Sequence, residues 1–139
     1  MSSPTPRVHE FEVTVDRDRA AHSDLGGPAI ARQEEWWAEH LALASLVRCT
    51  LTSMDYAARR AGLAATGEGK ARGTVTKREE DGLYAFVAID ASFDIEFKPA
   101  PDPLSIADLI SKAELGCFVG NSLVAKPSYH WTINGRAVK

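Results

Sequence analysis

Cys49 and Cys117 are the residues with the widest chemical range in this chain. A thiol attacks electrophiles only as a thiolate, so a nucleophilic cysteine needs a depressed pKa, and that needs a nearby cation. The candidate cations are Arg17, Arg19, Arg32 and Arg48. Arg48 adjoins Cys49 in sequence, but consecutive helical residues diverge by about 100°. A turn-borne Arg17 or Arg19 reaches into a thiol site more readily. Around Cys49, the helical neighbours Ser45, Leu46, Thr52 and Ser53 form a small, mostly polar stripe. Such a stripe serves either close approach by another backbone or a thiol cavity rimmed by hydroxyls. Cys117 stands between Gly116 and Phe118-Val119-Gly120-Asn121. Glycines there give either a mobile resolving cysteine or an incidental small hydrophobe.

Other chemistries find less support. His-Glu-x-x-His is absent although Glu39 adjoins His40, and the four histidines are scattered, so no metal site is expected. No P-loop, Gly-x-Gly-x-x-Gly or Gly-x-Ser-x-Gly motif occurs, so no cofactor is expected. Two cysteines are too few for a disulfide scaffold or a four-thiolate zinc site. With 139 residues, 45% hydrophobic and 25% charged, the chain predicts one globular domain over 1–139, not a disordered or fibrous one. The net charge of −3 gives no general attraction to nucleic acid or an anionic membrane. No apolar run approaches the roughly 18 residues of a membrane span. The first residues lack an apolar signal core, so a cytoplasmic location is expected.

The elements that must position the cysteines follow from hydropathy. Residues 1–8 read as a loose tail. Residues 9–16 alternate, with Phe11, Val13 and Val15 on one face, and predict a half-buried strand. The turn Asp16-Arg17-Asp18-Arg19 leads to a weaker strand over 20–25. Residues 34–61 contain no glycine or proline, and Gly62 offers a cap. A helix over 36–61 would be about 39 Å long. Its stretch Leu41-Ala-Leu-Ala-Ser-Leu-Val47 is apolar nearly all round, which predicts cover on most sides by sheet or by another subunit. Residues 67–70 suggest a turn and 71–79 a strand, with Glu80-Asp81-Gly82 as a hairpin tip. Residues 83–97 are apolar at every odd position, the clearest strand pattern in the chain. Ser105 is the expected N-cap of a second helix over 106–115. Tyr129, Trp131 and Ile133 alternate in a last strand before an Asn134-Gly135 turn. The expected class is α+β: an antiparallel sheet with a long central helix and a second helix.

Taken together, these pieces resemble the OsmC/Ohr family of hydroperoxide-reducing thiol proteins. Trp37-Ala-Glu39-His-Leu-Ala-Leu-Ala-Ser-Leu-Val-Arg-Cys49 is similar to the family's Pro-Glu-x-Leu…Cys helix, including its ten-residue step from glutamate to cysteine. Lys112-Ala-Glu-Leu-Gly-Cys117-Phe-Val-Gly-Asn121 is similar to the family's Lys-Ala-x-x-x-Cys-Pro-x-Ser-Asn segment. Val15-Asp-Arg17-Asp18 is similar to its Gly-Arg-Asp-Gly turn. The chain departs from the pattern where Phe118 stands for the proline, Gly120 for the serine, Arg19 for the second glycine of the turn, and Trp37-Ala38 for an Asn-Pro.

The resemblance implies an OsmC-like intertwined homodimer and a two-cysteine peroxidase cycle. Cys49 is the implied peroxidatic residue and Cys117 the implied resolving one. Arg17, with Arg19 as its competitor, is the implied cation, and Glu39 orients it. The implied substrate is an organic hydroperoxide, and the implied reductant a dithiol or protein-bound lipoyl group. On one continuous helix Glu39 lies about 15 Å along the axis from Cys49, so the helix starts after Glu39 or the two residues meet across subunits. The competing expectation is a non-catalytic dimer of the same fold that binds a small apolar ligand, with Phe118 and Gly120 as its supporting features.

Overall fold

The computed structural model describes residues 5–139. The part of the expected tail over 1–4 lies outside the described residues, and residues 5–8 are irregular and exposed. The chain divides into two compact units, Met1–Trp37 and Ala38–Lys139.

In the first unit, β1 (Val13–Val15) pairs antiparallel with β2 (Ala21–Ser23). Asp16 organises the turn between them. Its Oδ1 accepts the N–H groups of Asp18 at 2.9 Å and Ala20 at 3.0 Å, and its Oδ2 meets His22 Nε2 at 2.9 Å. These bonds hold the Asp16 carboxyl below the usual carboxylate range, the His22 contact most of all. Arg19 closes the turn at φ 67°, a left-handed conformation that a glycine adopts more cheaply. β1 is shorter than the alternation predicts, and its face is not half-buried: Phe11, Val13 and Val15 are all exposed in the single chain.

The second unit opens with α1 (Ala38–Arg60), which carries Glu39 in its first turn and Arg59 and Arg60 in its last, each suited to the helix dipole. Gly62 at φ 75° stops the helix, and Leu63 donates back to the Ala58 carbonyl at 2.9 Å. β3 (Ala64–Lys77), β4 (Tyr84–Lys98), α2 (Pro103–Leu115), α3 (Phe118–Ser122), β5 (Ser128–Ile133) and β6 (Arg136–Ala137) follow. One four-stranded sheet runs β3-β4-β5-β6. The hairpin tip over 80–82 forms as expected, with Gly82 at φ 72° and Arg78 bridged to Asp81. The alternation of β4 also holds, with Ile89, Ala91, Phe93, Ile95 and Phe97 all buried.

Three local expectations change. Residues 67–70 are not a turn but the first half of β3. A Cβ on Gly69 would sit 2.7 Å from the Phe93 ring and 2.9 Å from Val47 Cγ1. The glycine is there so that the aromatic ring and α1 can lie on the strand, and low side-chain bulk reads in sequence like a turn. Gly69→Ala is therefore expected to lower unfolding free energy by about 1–3 kcal/mol through overpacking. That outweighs the roughly 0.4–1 kcal/mol an alanine contributes by restricting the unfolded chain. A urea midpoint that falls at constant m-value checks it. The second change is the cap of α2. Asp102, not Ser105, takes that place, and its Oδ1 accepts the Ser105 N–H at 2.8 Å. Pro103 then occupies the first helical position, where its missing N–H costs nothing.

The third change is in the sheet. β4 and β5 pair parallel, Phe93 opposite Trp131 and Ala91 opposite Tyr129, while the other pairs are antiparallel. The chain between them passes through α2 and α3, and a crossover of that length returns a strand in the same direction. Phe93 stacks on Trp131 with centroids 4.7 Å apart.

α1 lies against β3, α2 and α3. Its buried residues, Leu46, Thr50, Met54, Ala57 and Ala58, form one face. Leu41 is exposed, as are Ala42 and Ala44. The expectation of cover on most sides is thus not met within one chain.

Candidate functional site

α1, α2 and α3 bring the two cysteines together. Cys49 lies half-buried in the middle of α1. Cys117 lies between α2 and α3, fully buried, and is the N-cap of α3. The Cys49 thiol faces the Cys117 thiol and the backbone N–H groups of Phe118 and Val119. Cys117 is not in a loose boundary segment. Its Sγ accepts the Gly120 N–H at 3.4 Å and contacts Thr50 Oγ1 at 3.2 Å. The Thr50 hydroxyl donates its single proton to the Leu46 carbonyl at 2.8 Å, so Cys117 S–H is the donor to Thr50 in the reduced protein.

The hydroxyl stripe divides. Ser45 bonds to the Ala42 carbonyl at 2.6 Å and Thr52 to the Arg48 carbonyl at 2.9 Å, so both turn back onto their own helix. Ser53 serves close approach instead: a Cβ on Gly116 would stand 2.7 Å from its Oγ. The hydroxyls that do reach the sulfur pair belong to Thr50 and Tyr129. Tyr129 Oη and Cys117 Sγ both border Gly120, standing 2.5 Å and 3.3 Å from where a Cβ on that glycine would lie. Thr50 escapes a helical-neighbour reading because it is adjacent to Cys49 and points about 100° away from it. Cys117 approaches from that side. Tyr129 shares the buried parity of Trp131 and Ile133, and a buried phenol needs a polar partner, which is the signal that identifies it.

The electrostatics follow from burial. Desolvation pushes the Cys49 thiol above its ordinary range, and the Cys117 thiol adds to the rise, while the N–H groups of Val119 and Phe118 oppose it. Burial, then electrostatic interaction with Cys117, pushes Tyr129 up to about 12. Its phenol therefore remains a donor at every physiological pH. Burial also raises Glu114, which lies beside the Trp131 indole, although the Trp131 N–H completes no hydrogen bond.

Glu39 is exposed in the first turn of α1, and the helix is continuous from there to Cys49. The ten intervening steps place it about 15 Å away along the axis, so the two do not meet on one chain. Arg17 and Arg19 both lie exposed in the β1–β2 turn. Arg19 holds the left-handed position of that turn. Among the described residues, no three His, Cys, Asp or Glu side chains cluster as metal ligands. No helix among the described residues is long and apolar enough to cross a membrane.

No protein-family model matches this sequence, and no curated protein matches it. Solved structures do. An OsmC-like protein of unknown function from Vibrio cholerae superposes with a TM-score of 0.76 at 14% identity, over 90% of this chain and 100% of its own. An OsmC-like protein from Mycoplasma pneumoniae gives 0.71 at 17% identity, over 93% and 99%. An organic hydroperoxide resistance protein from Elizabethkingia anophelis gives 0.66 at 16% identity, over 93% and 98%. At these identities the likeness is one of architecture, and it extends over nearly the whole chain. The resemblance first carried by two cysteine segments is thus carried by the fold as well: the protein is an α+β chain of the OsmC/Ohr fold.

Proposed function

We propose that this protein is a thiol-dependent peroxidase that reduces organic hydroperoxides to alcohols. The observation that carries this reading is the meeting of Cys49 and Cys117, from distant parts of the chain, in one largely buried site with backbone N–H groups and the Thr50 hydroxyl around the sulfurs. The presence of organic hydroperoxide resistance proteins among the structures of the same fold supports it.

In this cycle the Cys49 thiolate attacks the terminal peroxide oxygen. The O–O bond breaks, the leaving alkoxide takes a proton to become an alcohol, and Cys49 becomes a sulfenic acid. Cys117 then attacks the sulfenic sulfur. An S–S bond forms, the S–O bond breaks, and the Cys117 proton leaves with the hydroxide as water. A dithiol or a protein-bound lipoyl group reduces the disulfide by two exchange steps and is itself oxidised to a disulfide. No resident cofactor takes part.

Arg17 is proposed as the cation that offsets the raised pKa of Cys49 and steadies charge on the departing oxygen. Glu39 is proposed to orient that arginine through a charge-assisted pair. Because Glu39 and Cys49 are separated on α1, the proposed working form is a homodimer in which they meet across chains. The exposed Phe11, Val13, Val15 and Leu41 support such a partner, since burying each stabilises an interface by up to about 1.5–3 kcal/mol. A reducing, cytoplasmic setting fits a catalytic disulfide.

The test is consumption of cumene hydroperoxide with dithiothreitol or dihydrolipoamide as reductant. Cys117→Ser is expected to complete the first step and stop there, with Cys49 accumulating as a sulfenic acid that a 1,3-dione traps. Trapping at the same low level as wild type would remove Cys117 from the cycle. Absence of any turnover in the wild-type protein would favour the non-catalytic, ligand-binding reading.

A further inference from the structure

Gly120 and Tyr129 meet at the sulfur of Cys117. A Cβ on Gly120 would lie 2.5 Å from Tyr129 Oη and 3.3 Å from Cys117 Sγ. The first distance is a clash that no side chain can relieve without displacing the phenol. The Tyr129 hydroxyl therefore fills the space that a side chain at position 120 would occupy. Gly120 has no need of glycine for its backbone: it lies within α3 and has no left-handed φ. Its lack of a side chain is explained first by the phenol and then by the nearby Cys117 sulfur. The OsmC/Ohr pattern has a serine at this position, whereas here the side-chain-free Gly120 leaves room for a hydroxyl carried by β5.

The hydrogen-bond inventory gives that hydroxyl a role. The Cys117 thiol donates to Thr50 and accepts from the Gly120 N–H. Once the proton leaves, Thr50 remains tied to the Leu46 carbonyl, and the sulfur gains no new donor from it without breaking that bond. Tyr129 is the side chain placed to supply one. A phenol O–H to a thiolate is a charge-assisted bond, stronger than its neutral counterpart.

We propose that Tyr129 and Gly120 form a functional pair in which the Tyr129 phenol donates to Cys117 and promotes its attack on the Cys49 sulfenic acid. This rests on the peroxidase reading and adds a residue to its resolving step. Tyr129 takes no part in the attack of Cys49 on peroxide. In the resolving step it holds the attacking sulfur as its proton departs with the hydroxide of the sulfenic acid, giving disulfide and water.

The test compares wild type, Tyr129→Phe, Gly120→Ser and Tyr129→Phe/Gly120→Ser by stopped flow, after one equivalent of cumene hydroperoxide. Tyr129→Phe is expected to slow disulfide closure roughly 10- to 100-fold, the loss of one hydrogen bond to a charged group, and to leave sulfenic acid formation unchanged. Gly120→Ser alone is expected to slow closure by displacing the phenol. The double variant, with the phenol oxygen gone and a serine hydroxyl in its place, is expected to recover most of the wild-type closure rate. Closure at the wild-type rate in Tyr129→Phe, or no recovery in the double variant, overturns the proposal. The same four proteins are treated with diamide, which oxidises a thiol pair without any peroxide. A Tyr129 effect there, with no reaction toward hydroperoxide, overturns the peroxidase reading and keeps the Tyr129 assignment. No Tyr129 effect with either oxidant overturns the assignment and leaves the peroxidase reading standing if wild type turns over.

Discussion

Cys49→Ser is expected to reduce hydroperoxide consumption to the uncatalysed rate while leaving the fold intact. Serine is close in volume to cysteine, and Cys49 is half-buried, so little packing is lost. What disappears is the nucleophile proposed to attack the peroxide. A serine hydroxyl at neutral pH is not an alkoxide, and no side chain assigned to this site is placed to make it one. Cys117 does not substitute for it. It is fully buried behind Cys49, with Thr50 and Gly120 against its sulfur. The assay is peroxide consumption with excess dithiol, alongside a thermal unfolding curve. Near-wild-type turnover in Cys49→Ser would end the two-cysteine mechanism.

Arg17→Gln is expected to lower the rate at neutral pH by about 10²–10³-fold, the typical cost of removing one preorganised donor from a developing anion. The pH dependence shows why. Burial raises the pKa of Cys49, and the Cys117 thiol raises it further. A raised pKa makes the thiolate scarce at neutral pH, so the rate climbs roughly tenfold per pH unit until the pKa is passed. A guanidinium beside the sulfur favours the charged form and shifts that climb to lower pH. Wild type should therefore have reached its plateau at a pH where Arg17→Gln is still rising. Arg19→Gly should keep the wild-type profile, because it replaces a residue at φ 67° with the one that tolerates that conformation best. If Arg19→Gly loses the plateau and Arg17→Gln retains it, the roles of the two arginines are reversed.

Much of the fold is legible in the residues because single elements carry unambiguous periods. The odd-position apolar run of β4 fixes which face is buried, and Asn134-Gly135 fixes a tight hairpin, with φ values of 49° and 80°. The long helix is visible from the absence of glycine and proline before Gly62. Features set by tertiary contact are harder to read. Gly69 and Gly73 are flat surface for α1 and the aromatic rings of β4, yet the glycine-rich stretch 67–70 resembles a turn in composition. The parallel pairing of β5 depends on where α2 and α3 carry the chain, which hydropathy does not encode. The same division applies to the candidate site. Cys49 and Cys117 stand out by residue type and segment pattern. Thr50 and Tyr129 do not, because their hydroxyls matter only once three helices and a strand converge on one sulfur. Arg17 is legible as one of several candidate cations, and only the resemblance singles it out from them and assigns Glu39 a role.

The central claim is that Cys49 and Cys117 exchange a thiol pair for a disulfide when an organic hydroperoxide arrives. Peptide mass spectrometry after one equivalent of cumene hydroperoxide, with free thiols alkylated under acid quench, tests it directly. The account predicts a Cys49–Cys117 cross-linked peptide, two hydrogens lighter than the pair of reduced peptides, formed within the chain and reversed by dihydrolipoamide. Recovery of both cysteines as alkylated thiols, with the hydroperoxide unconsumed, would contradict it.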